Sequence, residues 1–288
     1  LQFAQKAVAL SPQTRWASDA VLDDLTRRGQ WDLALTRVSA ETATTREEKM
    51  IKRRKQAVIE TAIARERLET EPLVALDHAT AALKLVPDFV PAALIAARIQ
   101  SNRGEVRKAM SLLRRVWRAT SHPHVAMLYA NAQPGASAVD RLKRVRELID
   151  MPPPNRPAAI VLARAAVDAY DWVAARNALA SYSVAEPTQA VCLLMAEIEE
   201  GQNADQGKAR EWLSRAVRAP ADPVWVADGI TTDEWEPVSP VTGALDAFEW
   251  RVPLSATASR TESPRSTSER LPAPVPPPAE TPDRKAHV

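Results

Sequence analysis

The sequence predicts an all-α fold of stacked helix pairs, an α-solenoid, followed by a small tryptophan-rich lobe and a disordered tail. Three observations carry that prediction. Apolar residues over positions 1–220 recur at three- and four-residue steps, and no stretch there alternates with the period of two of a half-buried strand. A small-residue pattern ending in proline returns at intervals of 29 to 41 residues. The 288 residues include 7 glycines against 23 prolines, too few glycines for a turn-rich all-β fold or a glycine-rich phosphate loop.

The elements follow in order. FAQKAVALSP (3–12) predicts half of a first pair, a second helix stopped by Pro12. ASDAVLDDLTRR (17–28) is then a first helix and GQWDLALTRV (29–38) its partner, with Gly29, Ala34 and Val38 spaced by five and four. Residues 46–69 give a longer first helix, and PLVALDHATAALKLVPD (72–88) a second with Ala75, Ala79 and Ala82 before Pro87. VPAALIAARIQSN (90–102) pairs with GEVRKAMSLL (104–113), where Gly104, Ala109 and Leu113 repeat the earlier spacing. Residues 123–150 form a shortened pair turned by QPGASA (133–138). PAAIVLARAAVDA (157–169) precedes Ala175, Leu179, Tyr182 and Pro187; QAVCLLMAEIEEG (189–201) precedes Ala209, Leu213, Ala216 and Pro220. Small residues let two helices cross closely, and proline ends each second helix before the next pair.

The interval clusters around 34 residues. With Gly-x-Trp-x-x-Ala at 29–34 and the terminal prolines, residues 1–220 resemble tetratricopeptide repeats. The resemblance implies a right-handed α-solenoid of roughly six pairs, the first cut in half, whose first helices line a concave wall suited to an extended peptide or a partner helix. Family geometry places Asp23, Arg27, Glu60, Arg67, Arg98, Asn102, Arg164 and Asp168 on that wall as partner-binding residues. Its arginines favour an acidic partner or a ligand carboxylate.

After position 220 the composition changes. Residues 221–252 carry seven carboxylates against Arg251, whereas 1–220 are net basic and the whole chain is +2. So balanced a chain has no global field to recruit nucleic acid. Trp225, Trp235, Phe248 and Trp250, with turn-like Gly229 and Gly243, predict a small β-rich lobe over 221–253 whose tryptophans pack on the last helices of the stack. From Trp235-x-Pro-x-x-Pro240 to Asp246-Ala-Phe248, the lobe is similar to half of a rubredoxin-type knuckle in which prolines replace the metal-binding cysteines. Residues 254–288, rich in Ser, Thr and Pro with LPAPVPPPAETP, predict a disordered tail, with a PxxP ligand as the functional alternative.

Repeats followed by PVWVADG…DEWEPVSPVTGALDAFEW resemble the C-terminal soluble part of alphaproteobacterial HemY proteins, over residues 1–253. That resemblance implies two membrane helices ahead of the repeats, a repeat region facing the cytoplasm at the bacterial inner membrane, and a role in protoheme biosynthesis. It implies protein scaffolding among heme-pathway enzymes, or tetrapyrrole handling, rather than catalysis. A start at Leu1 inside an amphipathic helix fits a longer chain.

The chemistry-bearing residues are sparse. Cys192 is the single cysteine and sits on an apolar helix face, reading as a small buried hydrophobe. No metal-ligand or nucleophile motif occurs, so the chain reads as a non-enzyme without a metal or a required cofactor. His122 and His124 in SHPHVAM (121–127) stand at an inter-repeat turn where either could ligate heme iron. KMIKRRK (49–55) offers a basic helix face to anionic lipid. Three functions follow: a membrane-anchored interaction scaffold, a heme or porphyrin carrier, or an adaptor in envelope-lipid regulation.

Overall fold

The computed structural model describes Phe3 and residues 15–149, 155–184 and 186–254. The predicted half pair beyond Phe3 and the tail beyond Leu254 lie outside these residues. Twelve helices and three strands are described. The first helices of successive pairs are α1 (Arg15–Arg27), α3 (Arg46–Glu66), α5 (Val90–Asn102), α7 (Pro123–Ala130), α9 (Arg156–Asp168) and α11 (Gln189–Asn203). Their partners are α2 (Trp31–Ala40), α4 (Pro72–Leu85), α6 (Val106–Thr120), α8 (Ala138–Ile149), α10 (Trp172–Leu179) and α12 (Gln206–Ala216). The long α3 and the shortened α7 match the two departures from the repeat.

Local signals set the ends. Thr45 and Glu48 form a reciprocal capping box at α3, and Asn155, Asp171 and Asp205 cap α9, α10 and α12 with their side chains. Pro72, Pro91, Pro123 and Pro157 fall in the first turns of α4, α5, α7 and α9, where a missing N–H costs nothing. The turn inside three pairs is the same: Gly29, Gly104 and Tyr170 are left-handed, with Gln30, Glu105 and Asp171 donating to the carbonyls of Leu25, Gln100 and Ala166.

Each helix packs on its chain neighbour, and α3–α5, α5–α7, α7–α9 and α9–α11 also touch, so the first helices from α3 to α11 form one continuous layer. The repeated alanines sit at the crossings: Ala34, Ala75, Ala109 and Ala175 are fully buried and Ala209 nearly so. Ala138 departs from the series. It is partly exposed at the start of α8, and Leu142 is the buried residue one turn on. Crossing distance also fixes Gly201 in α11, because a Cβ there would enter the Trp172 indole, 2.7 Å from Cζ3. Alanine normally stabilises a helix interior by about 1 kcal/mol over glycine. Gly201→Ala is expected to reverse that sign and cost ~1–2 kcal/mol through overpacking, measured by urea unfolding.

Beyond α12 the chain forms β1 (Val224–Ala227), β2 (Ile230–Thr232) and β3 (Glu249–Arg251), antiparallel in the order β2-β1-β3. Asp228 and Gly229, both at positive φ, make the two-residue hairpin between β1 and β2. A second turn, 237–243, is joined to it by Ser239 and Thr242 hydroxyls donating to the Asp228 carboxylate at 2.5 and 2.7 Å. Those hydrogen bonds hold the carboxyl below its ordinary pKa.

The lobe does not pack on the last helices, as the sequence suggests. Asp222 accepts from the Ala190 N–H at the start of α11, and the chain then runs back across the first-helix layer. Trp225 and Trp250 reach the start of α7, Trp235 meets Phe89 before α5, and Asp246 and Glu236 reach α3. Leu245 packs against both apolar clusters of the body, and Trp225, Trp235 and Phe248 belong to the larger one. Charge explains the destination: the acidic segment finds Arg54 and Arg65, both on α3.

Candidate functional site

The first-helix layer carries a groove that the lobe divides. Between the lobe and α3, α5 and α7 lies a cavity of ≈ 460 Å³, floored by Leu68, Leu94, Ile95, Met127 and Leu128 and walled by Trp225 and Trp235. Arg65, Arg98, His124, Asn131 and Glu234 supply its polar groups. Beyond it, α7, α9 and α11 border a second hollow of ≈ 420 Å³. Its floor is Met127, Ile160, Val161, Leu193 and Leu194, and Arg164, Asp168 and Glu197 stand along it. Met127 and Asn131 line both, so the two hollows adjoin along the first-helix groove. Met127 is 54% exposed at its middle and Leu193 40% exposed farther along.

Three polar contacts set where the lobe lands. Arg54 donates from Nε and Nη2 to both Asp246 oxygens at 2.7 and 2.8 Å, with its guanidinium 4.3 Å over the Phe89 ring. Arg65 grips Glu236 in a bidentate pair, and the hydrogen bonds it donates to that carboxylate raise the Arg65 pKa. Arg27 donates to the Thr242 carbonyl at 3.0 Å and lies against Gly243, where φ is +73° and any side chain would strike it.

His122 is 4% exposed, with Trp250 4.1 Å and Trp225 5.4 Å from its ring centre. Its Nδ1 accepts from the His124 N–H as the N-cap of α7, leaving Nε2 to carry the proton in the neutral ring. Burial pushes its pKa down to about 3, helped by the neighbouring His124. Burial also lowers His124, against the opposing fields of Asp233 and Glu234. The sequence offers both histidines to an iron; His122 is enclosed by indoles, and only His124 lines a cavity.

The eight predicted groove residues separate. Arg98 lines the first cavity and forms no ion pair among the described residues. Arg164 and Asp168 border the second hollow, where Arg164 is bidentate to Glu197 at 2.6 and 2.8 Å; those hydrogen bonds raise its pKa. Arg67 is paired with Asp32, Glu60 with His78 at 2.6 Å, and Arg27 with the lobe. Asp23 is half-buried on α1, and Asn102 ends α5 at the surface. The expected set of arginines free to receive an acidic partner is therefore reduced to Arg98, because Asp32 satisfies Arg67, Glu197 satisfies Arg164 and the lobe satisfies Arg27. The basic stretch 49–55 is also largely consumed: Lys52 donates to the Ser39 and Glu41 carbonyls, Arg54 to Asp246 and Lys55 to Asp19.

Sequence reasoning missed Arg54, Arg65, Met127, Leu193 and Glu197. The opposed charges of body and lobe were the available signal for the first two; the others needed the helix register. Cys192 is buried, and burial raises its thiol pKa, so the thiolate is disfavoured. Among the described residues no cluster of three His, Cys, Asp or Glu is placed to hold a metal, and no helix is long and apolar enough to cross a membrane.

No family model matches the chain. It is similar to a probable magnetosome protein, Mms48, of Magnetospirillum gryphiswaldense, with 27% identity over 261 residues. Those residues are 83% of this chain and 56% of that protein, so the chain spans about half the length of the curated relative it matches.

Proposed function

We propose that this chain is a non-catalytic protein-interaction scaffold. Its pairs wind as a right-handed, tetratricopeptide-like solenoid, and the open channel between the lobe and α11 docks an apolar segment of a partner protein. The observation that carries this reading is the continuous apolar floor from Leu94 through Met127 to Leu193, with large side chains left exposed and Arg98 unpaired near one end. A partner helix with apolar residues on one face and a carboxylate at the Arg98 end fits it. The resemblance to HemY proteins supports a setting at the bacterial inner membrane among protoheme-pathway enzymes. The likeness to a magnetosome protein supports a membrane-associated setting.

A second reading, a heme or porphyrin carrier, is favoured by one observation: His124 and Arg98 share the ≈ 460 Å³ cavity with two indoles. One experiment separates the two. Purified heme-pathway enzymes are tested for binding to the full chain, and hemin is titrated in parallel. The scaffold predicts that Leu193→Asp weakens enzyme binding at least about tenfold, the loss of a buried anchor, and that no Soret band forms. A Soret band abolished by His124→Ala but kept in Leu193→Asp selects the carrier. Enzyme binding that Leu193→Asp leaves unchanged rejects the channel as the docking site.

A further inference from the structure

The lining of the groove recurs along the chain at one fixed step. Leu94, Met127, Ile160 and Leu193 stand 33 residues apart on α5, α7, α9 and α11, and each lines one of the two hollows. Immediately before them, Ala93, Ala126, Ala159 and Cys192 are buried. These small side chains seat the four helices at a similar depth, so the residue that follows turns toward the groove in every repeat. One turn further on, Arg98, Asn131, Arg164 and Glu197 keep the same step and border the same hollows. An apolar row and a polar row therefore run side by side across four helices that touch in succession.

Thirty-three residues before Arg98, the polar row meets Arg65 on α3. Arg65 clasps Glu236 of the lobe and Arg164 clasps Glu197, each through two hydrogen bonds. Arg98, in the same register between them, lines the first cavity and has no ion pair among the described residues. The lobe ends the row at α3 and leaves it open from α5 to α11. Packed helices lie about 10 Å apart, a step of about seven residues in a helix and about three in an extended chain. Residues three apart in a strand point to opposite faces, so a strand would meet only every second repeat. Residues seven apart in a helix share one face.

We propose that the groove takes an amphipathic partner helix of about 22 residues lying across α5, α7, α9 and α11, one large apolar residue per repeat at every seventh position. A glutamate or aspartate at its α5 end is held by Arg98, as Glu236 is held by Arg65 and Glu197 by Arg164. This rests on the docking reading above and gives the partner its sequence pattern. The test is fluorescence anisotropy of the full chain with labelled synthetic helices. Two peptides carry four leucines spaced by seven among alanine, glutamine and lysine, with one glutamate within a turn of the first or of the last leucine. The tighter binder gives the direction of the partner. Shuffling its leucines at constant composition is expected to weaken binding at least about tenfold, and Met127→Gln in the chain at least about fivefold. Replacing its glutamate by glutamine is expected to cost about three- to fivefold, and less than about twofold against Arg98→Gln, where the ion pair is already broken. Met127 and Arg98 are exposed, and circular dichroism verifies that both variants are folded. Equal binding of the shuffled peptide, no binding of either glutamate peptide at ~100 μM, or a glutamate effect that survives Arg98→Gln overturns the proposal. So does tighter binding of a proline-rich peptide with leucine at every third position. The docking reading fails separately, when Leu193→Asp leaves the binding of protein partners unchanged.

Discussion

Lowering the pH from 7 to 5 is expected to remove about 2 kcal/mol of unfolding free energy through His122 alone. In the folded chain this imidazole is held neutral against Trp225 and Trp250, with its pKa pushed down to about 3 from an ordinary 6.5. The unfolded chain therefore takes up a proton near pH 6.5 that the folded chain refuses. Stability is full above that value and falls as pH drops through it, until the folded state also protonates near pH 3. His124, lowered in the same direction by burial, adds to the slope, and Asp233 and Glu234 oppose it there. The carboxylates held below their ordinary range, Glu105, Asp140, Glu199, Asp205 and Asp228, lose their contribution only below about pH 4.5. The interval from 7 to 5 thus belongs to the histidines. Urea unfolding at several pH values measures it, and His122→Phe, which keeps an aromatic ring against the indoles, should flatten the curve there. An unchanged slope in that variant would show that His122 is hydrated and ordinary.

How much of this was legible in the sequence differs between the body and the site. The helix pairs are written locally: Gly29 and Gly104 mark left-handed turns, Thr45 and Glu48 a capping box, and Pro72, Pro91, Pro123 and Pro157 helix starts. Such signals depend on neighbours within a few residues, so a single sequence contains them. The position of the lobe is set by contacts that cross 171 to 215 residues, as in Arg65–Glu236 and Arg27–Thr242. No periodicity encodes them. Only the opposed charges and the unplaced tryptophans hinted that the segment belongs on the basic part of the body. The groove residues fall between these cases. A helix wheel identifies Arg164 as outward-facing, but its neutralisation by Glu197 depends on how α9 and α11 stack. The large apolar side chains of the channel look like ordinary core in sequence, because partial exposure of Met127 is a property of the gap beside it.

Removing residues 222–288 is expected to destabilise the helical body rather than release an intact stack. Trp225, Trp235 and Phe248 are 7%, 6% and 3% exposed and sit in the same apolar cluster as α5, α7 and α9. Truncating one such aromatic typically costs about 3–5 kcal/mol, and whole domains hold only about 5–15 kcal/mol. The ion pairs matter less to the total. Arg54 and Asp246 keep 42% and 25% of their side-chain exposure, and pairs that wet contribute about 1 kcal/mol or less, so they select where the lobe lands while the indoles hold it there. Loss should be concentrated in α3 to α7, because a stack of pairs transmits stability mainly between neighbours. Thermal melts followed by circular dichroism should fall by more than ~10 °C, with hydrogen exchange accelerated in α5 and α7 before α11 and α12. Trp235→Ala in the full chain should reproduce part of the effect, and Arg54→Ala much less. A truncated chain that melts at the temperature of the full one would mean that the lobe is an independent appendage. The cavity between it and α5 would then open freely instead of forming a fixed wall of the binding channel.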